Sequence, residues 1–322
     1  MNTIHKYQPS GRFGLLGLVI APLTALAAGV GLAYVYQFLI ELIPFIYINI
    51  LLTVLFGVCI GVAAGFALRI GQCRNSMIAI FVAITGGVAG VGAGHQFAYM
   101  HKMVEYDDAA AAAAKVDPED VWEPLTLERY LQWRVDSGWS IGKSNSTSTD
   151  LSGVTVYVIW AIEALVVCGA AAAMARMMCL RPYCEDCEAW LQQKTLGVIP
   201  SVNPGPLEQA VKAGDLVGAM TPTQVAGSPQ RLTYTLAHCP QCEKTMFLSG
   251  KFEWDEIKGK KKERKSKVLV EHVAVKPEQV DALMQTIANP TQPVAPPAQV
   301  RAPLPGPGQL KPVKVPLPGK KL

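Results

Sequence analysis

Four of the eight cysteines in this 322-residue chain stand in two pairs, Cys184-Glu-Asp-Cys187 and Cys239-Pro-Gln-Cys242. At that spacing a tight loop turns two sulfurs to one side. Two such loops can enclose one ion with thiolates at four tetrahedral corners. A closed site of that kind serves structure, because no coordination position stays open for a substrate. The rival chemistry is dithiol redox, for which Cys239-Pro-Gln-Cys242 has the right spacing. That chemistry needs the first sulfur at a helix N-terminus, where its thiolate is stabilised. Here a strand-like segment follows, and a second pair is present. A third alternative leaves the cysteines unrelated. Cys59 and Cys168 lie inside apolar runs and behave as small apolar side chains. Cys73 and Cys179 stand at the ends of such runs with no evident partner.

Two Cys-x-x-Cys pairs joined by one insert resemble the four-cysteine site of zinc ribbons. The resemblance covers residues 184–242 and rests on Cys184, Cys187, Cys239 and Cys242. It implies a structural Zn2+ and an interaction role, and it implies no enzymatic activity. The 51-residue insert between the pairs is longer than in the simplest ribbons. His238 adjoins Cys239 as a substitute donor, although four cysteines already complete the site. The surroundings suit a small α+β module. "RLTYTLAHC" reads as a strand into the second pair and "KTMFLSGKFEWDEI" as the strand leaving it, with a break at Gly250. "KVLVEHVAV" alternates as a third strand. "KPEQVDALMQTIA" reads as a helix opened by Pro277, and "GPLEQAVKAGDLVGAM" as another. So small a module buries little surface, and a metal would supply much of its folding energy.

The elements that must carry these pairs are apolar. Half of the residues are hydrophobic, 17% are charged, and the mean hydropathy is +0.25. The apolar residues gather in four runs: Gly14–Ile40, Ile43–Leu68, Ser76–Tyr99 and Val154–Met178. Each exceeds the ~20 residues that a helix needs to cross ~30 Å of hydrocarbon. Within lipid the backbone must satisfy its own hydrogen bonds, so these runs are predicted to be membrane helices. Lys6, Arg12, Arg69, Arg74, Arg176 and Arg181 all fall on one side of an even number of spans. The loop 101–151 has five basic residues against ten acidic ones. Positive charge favours the cytoplasmic side. Both termini are therefore expected in the cytoplasm, with the acidic loop outside, in the inner membrane of a bacterium. A cleaved signal peptide ending near "ALA" at 25–27 competes for the first run, which continues to Ile40 and is long for that purpose.

This gives a cytoplasmic lead at 1–13, a membrane domain at 14–178, a cytoplasmic zinc-ribbon-like module at 179–288 and a proline-rich tail at 289–322. The tail lacks a core-forming pattern and is expected to be extended or disordered. In the outer loop, Thr126 and Gly138 bracket a short amphipathic helix, whose aromatics would lie in the membrane interface or dock on the bundle. The alanine run 109–114 favours helix. Asn145 opens a glycosylation sequon.

Three further features invite chemistry. Glu163 lies nine residues into the last run, near the midplane, where a carboxyl group must find a polar partner or keep its proton. Tyr34, Tyr36, Gln37, His95 and Gln96 are the candidate partners. No second acidic residue lies deep in a run, which argues against a carboxylate relay. The triplets Gly57/Gly61/Gly65 and Gly86/Gly90/Gly94 let helix backbones approach closely. The short connector predicts that they pack against one another in a hairpin, or else form a homo-oligomer face. The run 258–267 has seven basic residues against one glutamate. Lying between two predicted strands, it is expected as a projecting turn. Its cations (Lys258, Lys260, Lys261, Lys262, Arg264, Lys265 and Lys267) would stay solvated or meet anionic inner-leaflet lipid. No aromatics interleave with them, which disfavours nucleic acid. The leading expectation is a membrane-tethered, non-enzymatic interaction or scaffold unit with a structural zinc site and a cytoplasmic protein partner. The alternative is a small ion or solute transporter or channel using Glu163, with the module as its regulator.

Overall fold

The computed structural model describes residues 5–43, 45–116, 125–141, 149–200, 203–213, 230–242, 244–258 and 261–288. The proline-rich tail, the Asn145 sequon, Lys260 and the second half of the helix expected over 205–220 lie outside them.

Four helices are long and apolar enough to cross a membrane: α1 (Leu15–Leu42), α2 (Ile46–Ile70), α3 (Ser76–Val116) and α5 (Val154–Cys179). Their outward faces are apolar, with Leu15, Val19, Leu23, Leu51, Phe81 and Leu165 all largely uncovered by protein. That pattern suits a lipid solvent and would be costly in water. α3 continues well past Tyr99, where the apolar run ends. At 1.5 Å per residue its 41 residues reach roughly 60 Å, about twice the thickness of the hydrocarbon. The alanine run falls inside this extension.

Small residues set how the helices pack. α1 buries Gly17, Ala21, Ala25, Gly29 and Ala33, one every fourth position. A Cβ placed on Gly29 would lie 2.3 Å from the Gly86 carbonyl oxygen of α3. On α2, a Cβ on Gly57 would meet the Val167 oxygen of α5 at 2.5 Å, and one on Gly61 the Ala171 oxygen at 2.4 Å. The two glycine triplets therefore do not pack against one another. Gly57, Gly61 and Gly65 receive α5, Gly86 receives α1, Gly90 meets the Phe56 ring of α2 and then the Gly29 oxygen of α1, and Gly94 meets open space. α2 and α3 touch mainly across the diagonal of the bundle, with α1 and α5 on either side. The connector is short, but the closest backbone approaches are made elsewhere, and these decide the arrangement. The faces proposed for a homo-oligomer are filled largely within the chain.

The turn between α2 and α3 is tightly specified. The Gly71 and Cys73 amides donate to the Ala67 and Leu68 carbonyls, and Gln72 takes a left-handed φ of 51°. The Asn75 side chain then caps α3, accepting from the Met77 and Ile78 amides at 2.9 and 3.2 Å.

α4 (Leu127–Ser137) is the amphipathic helix expected in the outer loop. The Thr126 side chain caps it, and it ends at Gly138. Gly138 has a φ of +61°, and a Cβ there would sit 2.2 Å from the Leu151 oxygen, so only glycine fits. Tyr130 is buried and packs its ring on Tyr99, while Trp133 stays half uncovered. The short strands β1 (Trp139–Ile141) and β2 (Thr149–Leu151) pair antiparallel.

The remaining strands are β3 (Tyr183–Cys184), β4 (Ala189–Trp190), β5 (Gln192–Pro200), β6 (Arg231–His238), β7 (Met246–Lys258) and β8 (Lys261–Ala274). β3 and β4 form a minimal hairpin, and β5-β6-β7-β8 form one sheet in that order. Helices α6 (Pro204–Ala213) and α7 (Pro277–Ala288) complete the sheet's core. There Leu207 and Leu283 pack with Leu232, Tyr234, Leu248 and Phe252. The expected break at Gly250 is an irregularity in the β7–β8 register.

Most of the basic run is strand rather than turn. Residues 261–267 form the first half of β8, paired with 252–258 of β7. Lys262 and Arg264 meet Asp255 at 3.1 and 3.5 Å, and Lys267 meets Glu208 of α6 at 2.8 Å. Lys265 is likewise paired with Glu256. Acidic residues on the partner strand make a strand of this run, because opposite charges across a ladder stabilise the pairing.

Two compact units result. Among the described residues, one contains those of 7–192 together with 238–245, and the other those of 193–237 and 246–288, joined by Lys6, which bridges Val273. Both cysteine pairs fall in the first unit, with the four long helices.

Candidate metal centre

Each cysteine pair occupies a tight loop. Cys184 ends β3, the chain turns through Glu188 with a φ of 49°, and β4 returns. Tyr183 pairs with Trp190 and Cys184 with Ala189. In the second loop, the Cys239 amide donates to the Thr245 carbonyl at 3.1 Å.

The sulfurs of Cys184, Cys187, Cys239 and Cys242 all lie within 4.8 Å of one another. The Cys184 and Cys242 sulfurs are 3.8 Å apart, and all four cysteines are free thiols. Four ligands ~2.3 Å from a tetrahedral ion are separated by ~3.8 Å, whereas a disulfide would bring two sulfurs to ~2.05 Å. The spacing fits a metal ion. Cys184 and Cys239 are buried, and Cys187 and Cys242 are partly covered. The Thr245 hydroxyl lies 3.3 Å from the Cys184 sulfur.

The electrostatics favour a thiolate at one corner. Backbone amides of Thr245 and then Lys244 pull the Cys242 thiol down to about 6. Its hydrogen bond with Cys242, then burial, pushes the Cys187 thiol up to about 12. One ligand is thus ready at neutral pH, and an incoming cation would displace the protons of the others.

The first loop is gripped by the α2–α3 turn. Arg74, with only 9% of its side chain exposed, pairs with Glu185 and lies 4.3 Å over the Tyr183 ring. Arg12 reaches the same carboxylate at 3.9 Å. The Trp190 indole N–H donates to the Arg69 carbonyl at 3.0 Å, and the Arg69 guanidinium lies 5.3 Å over that ring. Gln72 donates to the Glu188 carbonyl at 3.4 Å. Burial beside Glu185 pushes the Tyr7 phenol up to about 12. None of these partners stands out as a site residue in the sequence. Arg74 carries a signal there only as a topology-setting charge. Its pairing with a loop more than 100 residues away has no local pattern.

Glu163 is placed differently. The Tyr36 hydroxyl donates to its Oε1 at 2.6 Å and lies 2.9 Å from Thr53 Oγ1, which in turn donates to the Asn49 carbonyl. Three helices are thereby tied together. The His95 ring packs on Trp160. Tyr34 points away and packs on Phe97, Gln96 is exposed, and Gln37 bonds to Glu41. Thr53 is the partner that the sequence does not suggest.

No family model, curated protein or solved structure matches this chain.

Proposed function

We propose that this chain is a polytopic membrane protein that carries one structural zinc ion in a zinc-ribbon-like pair of loops at the cytoplasmic membrane surface. It serves there as a non-enzymatic interaction or scaffold unit. The observation that carries the reading is the closure of four cysteine sulfurs within 4.8 Å, on loops anchored to the end of the helical bundle. Four thiolates suit zinc, and they leave no open position for catalysis. Arg12, Arg69 and Arg74 gather at that end of the bundle, which supports a cytoplasmic placement for it and for both termini. A reducing cytoplasm also disfavours a disulfide among these thiols.

The hydrogen bonds of Tyr36 with Glu163 and Thr53 favour an interhelical lock over a transport path, because they engage the carboxyl group within the bundle. Crosslinking in native membranes tests the interaction role. Wild type should give discrete adducts to other proteins that vanish in Cys184→Ser. A chain with no adducts, or with the same adducts in both forms, contradicts it.

A further inference from the structure

We infer that Arg74, in the turn between α2 and α3, is a positioning residue for the metal centre, holding and neutralising its first cysteine loop. The inference rests on the four-thiolate reading and extends it to the bundle. A divalent ion with four thiolates has a net charge of about −2. Such a centre is stabilised by cations placed beside it, and partners around the ligands orient them.

Arg74 is placed to orient the first loop and to offset its Glu185 carboxylate. Its guanidinium is nine-tenths buried, and a buried charge persists only when it is paired. Its ion-pair and ring partners, Glu185 and Tyr183, lie on the first loop. Tyr183 and Glu185 are the immediate neighbours of Cys184 in the chain, and Glu188, held by Gln72, is the immediate neighbour of Cys187. The turn therefore grips the loop on the outer sides of both ligands and between them. Arg12 shares the Glu185 carboxylate, so two cations face one anion at the first loop. The Trp190 N–H on the Arg69 carbonyl fixes the far strand of the same hairpin. β3 and β4 are two residues each and cannot hold this geometry by themselves. The ion fixes the loop from one side and Arg74 from the other, so loss of the ion should loosen the turn.

The test uses the full chain in detergent micelles, with Zn2+ divided between the protein and a chromophoric chelator. Arg74→Ala should weaken Zn2+ binding roughly tenfold or more. Arg74→Lys, which keeps the charge but loses the planar stack on Tyr183, should fall between it and wild type. Trp190→Phe keeps a ring, loses the N–H, and should weaken binding in the same direction. Amide exchange over residues 71–75 should speed up in Arg74→Ala, and in wild type once the ion is stripped. Unchanged affinity in Arg74→Ala, or exchange in the turn that ignores chelation, overturns the inference while leaving the four-thiolate site standing. If Arg74→Ala does not fold, the Lys and Phe variants decide on the same readouts. A wild-type chain that takes up no Zn2+ removes both the site and its positioning residue.

Discussion

Cys242 and Cys187 make the metal site pH-dependent in a defined direction. A thiol held down to about 6 by the Thr245 and Lys244 amides is ionised at neutral pH, whereas Cys187, pushed up to about 12, is not. Metal binding must therefore expel protons, and affinity should rise with pH and collapse on acidification through about 6. Zn2+ titrations across that range, with proton release followed calorimetrically, would check it. Deeper in the bundle, Tyr36→Phe removes the hydroxyl shared by Glu163 and Thr53. It should cost about 1–3 kcal/mol, read as a lower unfolding midpoint in detergent. Sequence spacing is enough to select the four sulfurs, because a Cys-x-x-Cys loop is a local object. It offers Tyr36 among several partners for Glu163 and does not separate it from Tyr34. Helix rotation decides between those two, and that depends on where α1 meets α3. The contact of Arg74 with Glu185 is beyond its reach for the same reason: it joins distant segments.

The helical elements are legible from hydropathy and the sheet from alternation, yet their packing is not. Glycine spacing announces close approach without saying to which neighbour. The partners are matching stripes of small residues on α1 and α5, and spacing alone does not say which stripe meets which. A substitution pair distinguishes the two environments. Gly61→Ala, whose Cβ would enter the Ala171 carbonyl at 2.4 Å, should destabilise by about 1–3 kcal/mol. Gly94→Ala, with nothing within 4 Å, should be neutral or better. Thermal unfolding in one detergent compares them directly. Like charges counted along the chain suggest a solvated turn for the basic run, whereas its countercharges lie across the β7–β8 ladder. Lys262 first, and then Arg264, hold the Asp255 carboxyl below its usual range, and Lys251 and Arg231 do the same for Glu253. A depressed carboxyl stabilises the fold above its unfolded pKa, and that contribution fades as pH falls through the folded value. The sheet should therefore hold constant stability down to about pH 4 and weaken below it. Asp255→Asn should flatten that dependence in pH-resolved melting followed by circular dichroism.

At the scale of the molecule, the two cysteine loops belong to the helical unit, and the segment between them builds most of the first half of a separate sheet. Among its described residues, the 51-residue insert that sets this chain apart from the simplest ribbons contributes β5, α6 and β6 before the chain returns to Cys239. That division follows from long-range contacts, and a single sequence does not record it. In this architecture four cysteine sulfurs, carried on two loops far apart in the chain, come together at the end of a bundle of four apolar helices. The most direct test is elemental analysis of the full chain purified in mild detergent, paired with a count of reactive thiols. The account predicts one zinc per chain, with Cys184, Cys187, Cys239 and Cys242 protected from alkylation until a chelator is added. A metal-free chain with all four thiols open to reagent would contradict it.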